Sequence, residues 1–215
     1  AEYRRFTIPG SLHCPTGRLG ALTDYPEPWY VHCAGRTRGI IAAQTLHDIS
    51  PQTAVRFIAG GTQGWELSGG QRCFEPELQM PQLVGYEEAL HRAQVLINHH
   101  ALRILDSDDI GPWLQQNPIH LQIEVSEMEH SATQVATTSL IQSTDQYIAT
   151  HNVPILIRGD HPLDVCVAVL WLRRMGWDAS GVFSSDNGHT ATDAQTQFAK
   201  FEGACDDLVL LDIRS

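Results

Sequence analysis

Cys33 is the residue of this 215-residue chain whose surroundings could do chemistry. It follows Trp29-Tyr30-Val31-His32, a short aromatic and β-branched run preceded by Pro26 and Pro28, which reads as a strand. After it come Ala34-Gly35-Arg36-Thr37-Arg38-Gly39, a polar, glycine-bearing turn, and then Ile40, Ile41, Ala43, Thr45 and Leu46 in a run of helix formers ending near Asp48 or Ser50-Pro51. In such a strand, loop and helix, loop N–H groups and the first helical N–H groups can converge on the sulfur. The helix adds roughly half a positive charge there. Arg36 and Arg38 add full charges. All of these favour a thiolate, and the same nest suits an anion or a persulfide. The bland alternative is a buried strand-end thiol beside two solvated arginines.

The elements that must position this loop alternate between strand and helix. Ala54-Val55-Arg56-Phe57-Ile58 reads as a second strand, ending in Gly60-Gly61 with Gly64-Trp65 close behind. Ser68–Gly85 carries three glycines and two prolines and reads as a linker. Beyond it the pattern predicts a helix from Tyr86 to Asn98, a strand at Leu102–Leu105, a short helix at Ile110–Gln115 and a strand at His120–Val125. It then predicts a helix at Leu140–His151, a strand at Val153–Ile157 and a helix at Val165–Met175 that stops at Gly176-Trp177. This order repeats the strand, loop, helix of the first half, but Arg158 and Gly159 stand where the first half has its cysteine. The expected class is α/β with parallel sheets flanked by helices.

The remaining thiols invite plainer readings. Cys14, Cys73, Cys166 and Cys205 form no CxxC pair, so a structural zinc site is not expected. Cys166 falls inside a helix and reads as an inert packed thiol; Cys14 precedes the active strand and also reads as packed. His99-His100 is adjacent and cannot share one helix face, so it reads as a solvated or capping pair. The formal charge of −11 argues against nucleic acid or an anionic membrane as partner. No apolar run approaches the ~20 residues of a membrane helix. Glu2, Arg4 and Arg5 stand where a signal peptide would be apolar, so a cytoplasmic location is expected.

Four stretches together resemble the rhodanese-like sulfurtransferases. Cys33-Ala34-Gly35-Arg36-Thr37-Arg38 resembles the active loop of that family, and Gly60-Gly61-Thr62-Gln63-Gly64-Trp65 resembles its GGxxGW signature. Glu2-Tyr3 through Ile8-Pro9-Gly10 is similar to the segment before the active strand. Leu210-Leu211-Asp212-Ile213-Arg214-Ser215 is similar to the strand that precedes that segment. The wording around Cys33 to Gln44 is particularly similar to bacterial proteins built of tandem rhodanese domains, in which an active domain is followed by a degenerate one. Leu140–Asp145 and Trp171–Trp177 resemble that degenerate neighbour. Gly39 departs from close relatives, which more often carry Ser or Thr, and Arg36 stands where many single-domain members have Gly.

The resemblance implies an active domain at 1–75, completed by a strand at 208–215, a linker at 76–85 and a degenerate domain at 86–203. Leu208–Ile213 is expected to pair beside Trp29–His32 within one chain, with a strand-swapped homo-oligomer as the alternative. The implied activity is transfer of a sulfane sulfur from thiosulfate or a similar small anionic donor to a thiol or cyanide acceptor. Cys33 would be the nucleophile, Ala34, Gly35, Arg36, Thr37, Arg38 and Gly39 would bind the substrate, and no metal or cofactor is implied. Two rivals stand beside it. One is a non-catalytic binding or regulatory module. The other is a cysteine phosphatase or arsenate reductase, which needs arginine six residues after the cysteine, whereas Cys33 is followed by arginine at the fifth position, Arg38, and by Gly39 at the sixth.

Overall fold

Short apolar strands alternate with helices along the chain, and each half holds parallel strand pairs, as the sequence predicts. The structure, a computed structural model, describes residues 2–14, 16–22, 28–35, 37–127 and 133–183. The chain divides into two compact units, the first reaching Arg92 and the second starting at Ala93. Arg36, Cys205 and the strand expected at Leu208–Ser215 lie outside the described residues.

The first unit runs α1 (Glu2–Arg5), β1 (Phe6–Thr7), a 3-10 turn (Thr16–Ala21), β2 (Trp29–Val31), α2 (Arg38–Ile49), β3 (Val55–Phe57), α3 (Gly61–Leu67) and β4 (Cys73–Phe74). It ends within α4 (Tyr86–His100). β2 and β3 are parallel, with Trp29 opposite Val55 and Val31 opposite Phe57. α2 turns Ala42, Leu46 and Ile49 inward, a spacing that gives one buried helix face. Ala42 and Leu46 join Cys14, Leu19, Leu22, Val31 and Cys33 in one core. The 3-10 turn is almost wholly buried, so carbonyls at its end need partners. Arg92 of α4 supplies them: its Nη1 donates to the carbonyls of Gly20 at 2.9 Å and Leu22 at 2.7 Å, while its Nε bonds Glu88 at 2.8 Å.

Two expectations for this unit are corrected. The seven-residue helix α3 was not expected, because Gly60-Gly61 and Gly64 are poor helix formers. Its end is marked by Gly69 at φ +87°, with Gly69 N–H donating to Glu66 and Gly70 N–H to Trp65. The expected linker is also tied down. Cys73-Phe74 pairs antiparallel with Phe6-Thr7, His13 N–H donates to Gln79, Val84 N–H donates to Ala21, and Leu22 bridges Leu83. Its prolines and glycines suit single backbone pairings that leave no side-chain period in the sequence.

The second unit holds α5 (Ser107–Gln116), β5 (Leu121–Val125), β6 (Gln134–Val135), α6 (Thr137–Gln142), α7 (Thr144–Tyr147), β7 (Ile155–Gly159), α8 (Pro162–Arg174) and β8 (Ala179–Phe183). Its four strands lie in the order β6-β5-β7-β8, all parallel. β7 is central, and Ile155, Leu156 and Ile157 are buried in succession, as a strand covered on both faces must be. α8 starts with Pro162 at its first position, where a missing N–H costs nothing. It stops where expected: Gly176 takes φ +92°, its N–H donates to Arg173, and Trp177 N–H reaches back to Leu172. Cys166 is buried in α8, and burial pushes its thiol up to about 12, which fits an inert packed cysteine.

Three expectations differ here. Leu102–Leu105 makes only one parallel bridge, Ile104 to Gly181, flanked by two backbone hydrogen bonds. The helix expected at Leu140–His151 begins earlier, breaks at Ser143 and ends at Tyr147. There the Thr144 hydroxyl bonds back to the Leu140 carbonyl at 2.8 Å, a local bond that bends helices. β8 was missed: Ala179-Ser180-Gly181 is small and polar, yet it is buried because Ile104, Val165 and Val169 crowd onto Gly181.

His13 gives this fold a pH dependence. Its ring lies 5.5 Å from that of Tyr3, and its pKa is lowered from 6.5 to about 4, first by burial and then by nearby positive charge including Arg4. The folded state therefore binds the proton less well than the unfolded state. The stability from neutral His13 is present above pH 6.5 and is lost as pH falls from about 6.5 to about 4. Urea midpoints measured across that window should fall with pH in the wild type. In His13→Gln the fall should be smaller; an unchanged slope would show that another group carries it.

Candidate active site

Cys33 lies two residues beyond Val31, the last residue of β2, at the C-terminal end of a parallel strand, where α/β sheets place their binding crevices. Its side chain is fully buried. Two backbone groups face the sulfur: Gly35 N–H at 3.5 Å and Gly39 N–H at 3.4 Å. Gly39 is the second residue of α2, so its N–H is one of the donors every helix leaves without a partner in its first turn. Thr37 occupies the N-cap position but makes no side-chain cap bond. Cys33 Sγ thus takes the acceptor role that a Ser or Asp side chain fills at other helix starts. A charged sulfur gains more from both donors and from the helix end than a neutral thiol does.

A second layer holds the loop from behind. The Cys33 carbonyl accepts two bonds from Thr62 of α3, one from its backbone N–H at 2.8 Å and one from its hydroxyl at 3.2 Å. The Ala34 carbonyl accepts from Gln63 N–H at 3.4 Å. So close an approach needs glycine at 61: a Cβ there would collide with the Cys33 carbonyl and stand 2.6 Å from Gly35 N. The GGTQGW stretch is therefore the brace of the active loop.

The turn Ile8-Pro9-Gly10-Ser11 supports the strand itself. Ser11 Oγ donates to the Ile8 carbonyl at 2.7 Å and lies 3.0 Å from His32 Nε2. The hydroxyl proton is spent on Ile8, so His32 must carry its proton on Nε2 and donate it to Ser11. This buried bond fixes the ring next to Cys33 in the chain. No local pattern marks His32 or Thr62, which look like ordinary strand and turn residues.

The other sequence-predicted site residues fall as follows. Ala34 and Gly35 are half-buried and Thr37 is exposed. Arg38 opens α2 and is only 8% exposed, so its charge is mostly sheltered, unlike the solvated arginine of the bland alternative. Gly39 packs against Phe57: a Cβ at 39 would run into the ring edge of Phe57, with Cδ2 at 2.7 Å. That contact accounts for glycine where a hydroxyl residue was expected.

The corresponding turn of the second unit is built differently. β7 ends in Arg158-Gly159, and Asp164 in the first turn of α8 is buried. Asp164 Oδ2 accepts the Glu127 N–H at 3.1 Å, and Glu127 Oε1 accepts the Thr138 hydroxyl at 2.7 Å. The Asp164 carbonyl accepts the Thr137 hydroxyl at 3.3 Å. Carboxylates here stitch β5, α6 and α8 together, and no thiol stands at the strand end.

Comparison with solved structures places this geometry. A thiosulfate sulfurtransferase from Pseudomonas aeruginosa matches 86% of the chain with a TM-score of 0.73 at 22% identity. The fold is rhodanese-like. The chain spans 38% of the length of that protein. The 3-mercaptopyruvate sulfotransferase SseA from Escherichia coli aligns over 86% of both chains at 13% identity and a TM-score of 0.34. No protein-family model matches the sequence, and no curated protein does. No helix of the described residues is long and apolar enough to cross a membrane.

The Gly39–Phe57 contact can be tested by packing. Gly39→Ala should cost about 1–3 kcal/mol through overpacking, more than the helix propensity it gains. Adding Phe57→Val should recover most of that loss in urea unfolding. Additive losses would show that the two positions do not compete for space.

Proposed function

We propose that the protein is a sulfurtransferase that carries a sulfane sulfur on Cys33. One observation carries the reading: in a rhodanese-like fold, Cys33 Sγ sits at the start of α2 within reach of the Gly35 and Gly39 N–H groups. The Cys33 thiolate attacks the outer sulfur of thiosulfate or a similar donor. The donor S–S bond breaks, sulfite leaves with the bonding pair, and a persulfide stays on Cys33. A thiolate or cyanide then attacks the terminal sulfur, the bond to Cys33 Sγ breaks, and the thiolate returns. The two displacements predict ping-pong kinetics. The first unit is the catalytic domain, and the second, with Arg158-Gly159 at its strand end, is a degenerate one that does not turn over donor.

Thiosulfate–cyanide turnover is the direct test. The wild type should release thiocyanate, and after thiosulfate alone its mass should rise by one sulfur located on Cys33. Cys33→Ala should lose both. Wild-type protein without adduct or turnover would favour the non-catalytic module. Hydrolysis of para-nitrophenyl phosphate that depends on Cys33 would favour the phosphatase.

Arg38 supplies the charge for the donor. A planar guanidinium can meet two oxygens of a sulfonate-like group, and an ammonium cannot match that fork. Arg38→Lys should raise KM for thiosulfate about tenfold, and Arg38→Ala should raise it further. Because Arg38 is sheltered, urea midpoints should be measured beside the kinetics. Equal KM in both folded variants and wild type would make Arg38 a packing residue.

A further inference from the structure

We infer that Thr62 is a positioning residue for Cys33: by holding the carbonyl of Cys33 while its neighbour Gln63 holds that of Ala34, it fixes the loop so that the Gly35 N–H faces the sulfur. Peptide geometry underlies this role. In a trans peptide the C=O and the following N–H point in opposite directions across a rigid plane. The Cys33 carbonyl is drawn toward α3 by two donors of Thr62. The Ala34 N–H, in the same plane, must then face away from α3. The next plane shows the result directly: the Ala34 carbonyl is bonded to Gln63 N–H on the α3 side, and Gly35 N–H faces Cys33 Sγ on the other.

Without the brace, both planes could rotate and turn carbonyl oxygens toward the sulfur. A carbonyl there would repel a thiolate and a persulfide alike, since each carries negative charge. Thr62 is buried, at 1% exposure, so its hydroxyl has no water to compete for it. Gly61 permits the approach, because any Cβ there would strike the Cys33 carbonyl. Thr62 touches no donor or acceptor; it acts through the orientation of two peptide groups. The inference deepens the sulfurtransferase reading and rests on it for its catalytic consequence, while the orientation itself can be measured without turnover.

The test compares Thr62→Val, which keeps the shape and the backbone N–H but loses the hydroxyl, with Thr62→Ser, which keeps the donor. The readout is Cys33 labelling by iodoacetamide at pH 6 divided by its plateau rate at high pH. One lost hydrogen bond should lower that ratio about threefold in Thr62→Val. Thr62→Ser should stay close to wild type. In the same variant kcat for sulfur transfer should fall while KM for thiosulfate stays within about twofold. A folded Thr62→Val with a wild-type ratio would overturn the inference. A variant that does not fold leaves a measurement on the wild type. The amide resonance of Gly35 should move as Cys33 is deprotonated, and if it does not, the donor does not face the sulfur and the inference fails. Absence of turnover in wild type, with the labelling ratio and amide shifts as expected, would sink the sulfurtransferase reading and leave the positioning role standing.

Discussion

The first unit depends on one substitution of roles, in which a cysteine sulfur does the work of a helix N-cap. A helix start needs acceptors for its first N–H groups, and a nucleophilic sulfur needs donors for its charge. Placing Cys33 where β2 gives way to α2 meets both needs with one contact, Gly39 N–H to Sγ. The arrangement has consequences for its neighbours. The loop must be short and tightly curled, so Gly35 takes φ +131°. The loop's own carbonyls must face outward, so another element must receive them, and α3 does so. The strand that carries the cysteine must not shift, and the Ser11–His32 bond ties it to the Ile8-Pro9-Gly10 turn.

Phe57 shows how tightly this is packed. It lies on β3, paired with Val31 one step before the loop, and its ring fills the space above Gly39. A hydroxyl residue at 39 could offer the sulfur another donor, but Phe57 leaves no room for its Cβ. The described cradle around Sγ is made of backbone N–H groups, which cannot be lost by a rotamer change and need no side-chain entropy to order. Their direction depends wholly on the peptide planes, which is why a brace on the far side of the loop matters.

Much of this was legible in the sequence, for reasons that differ by element. The junction at Cys33 was visible because three local signals coincide: an aromatic and β-branched run, a polar turn with Gly35, and a run of helix formers. The stop of α8 was visible because Gly176 is the residue a left-handed cap requires. β8 was hidden, because a buried strand under a crowded helix can be built from Ala179, Ser180 and Gly181, whose composition reads as a loop. α3 was hidden for a related reason, since Gly61 serves close approach to the loop and Gly60 a left-handed φ of +71°, and neither serves helix propensity. The tie between the stretch after Phe74 and residues 13–22 was hidden because backbone pairs leave no trace in residue type. In the site, Thr62 and His32 escaped notice because their roles lie in what they bond, Cys33 O and Ser11, across gaps that no local pattern encodes.

The charge of the chain sets the last constraint. A protein of formal charge −11 repels a dianionic donor at long range. At physiological salt that repulsion fades beyond ~8 Å, so the encounter is governed by what lies close to the sulfur. There the described groups are donors: the Gly35 and Gly39 N–H groups at the start of α2. Sheltering Arg38 makes its charge less screened and therefore more effective per unit distance, at the expense of desolvating it. On a chain that is otherwise acidic, backbone donors oriented at a strand-end sulfur confine any attraction for negative charge to that short range.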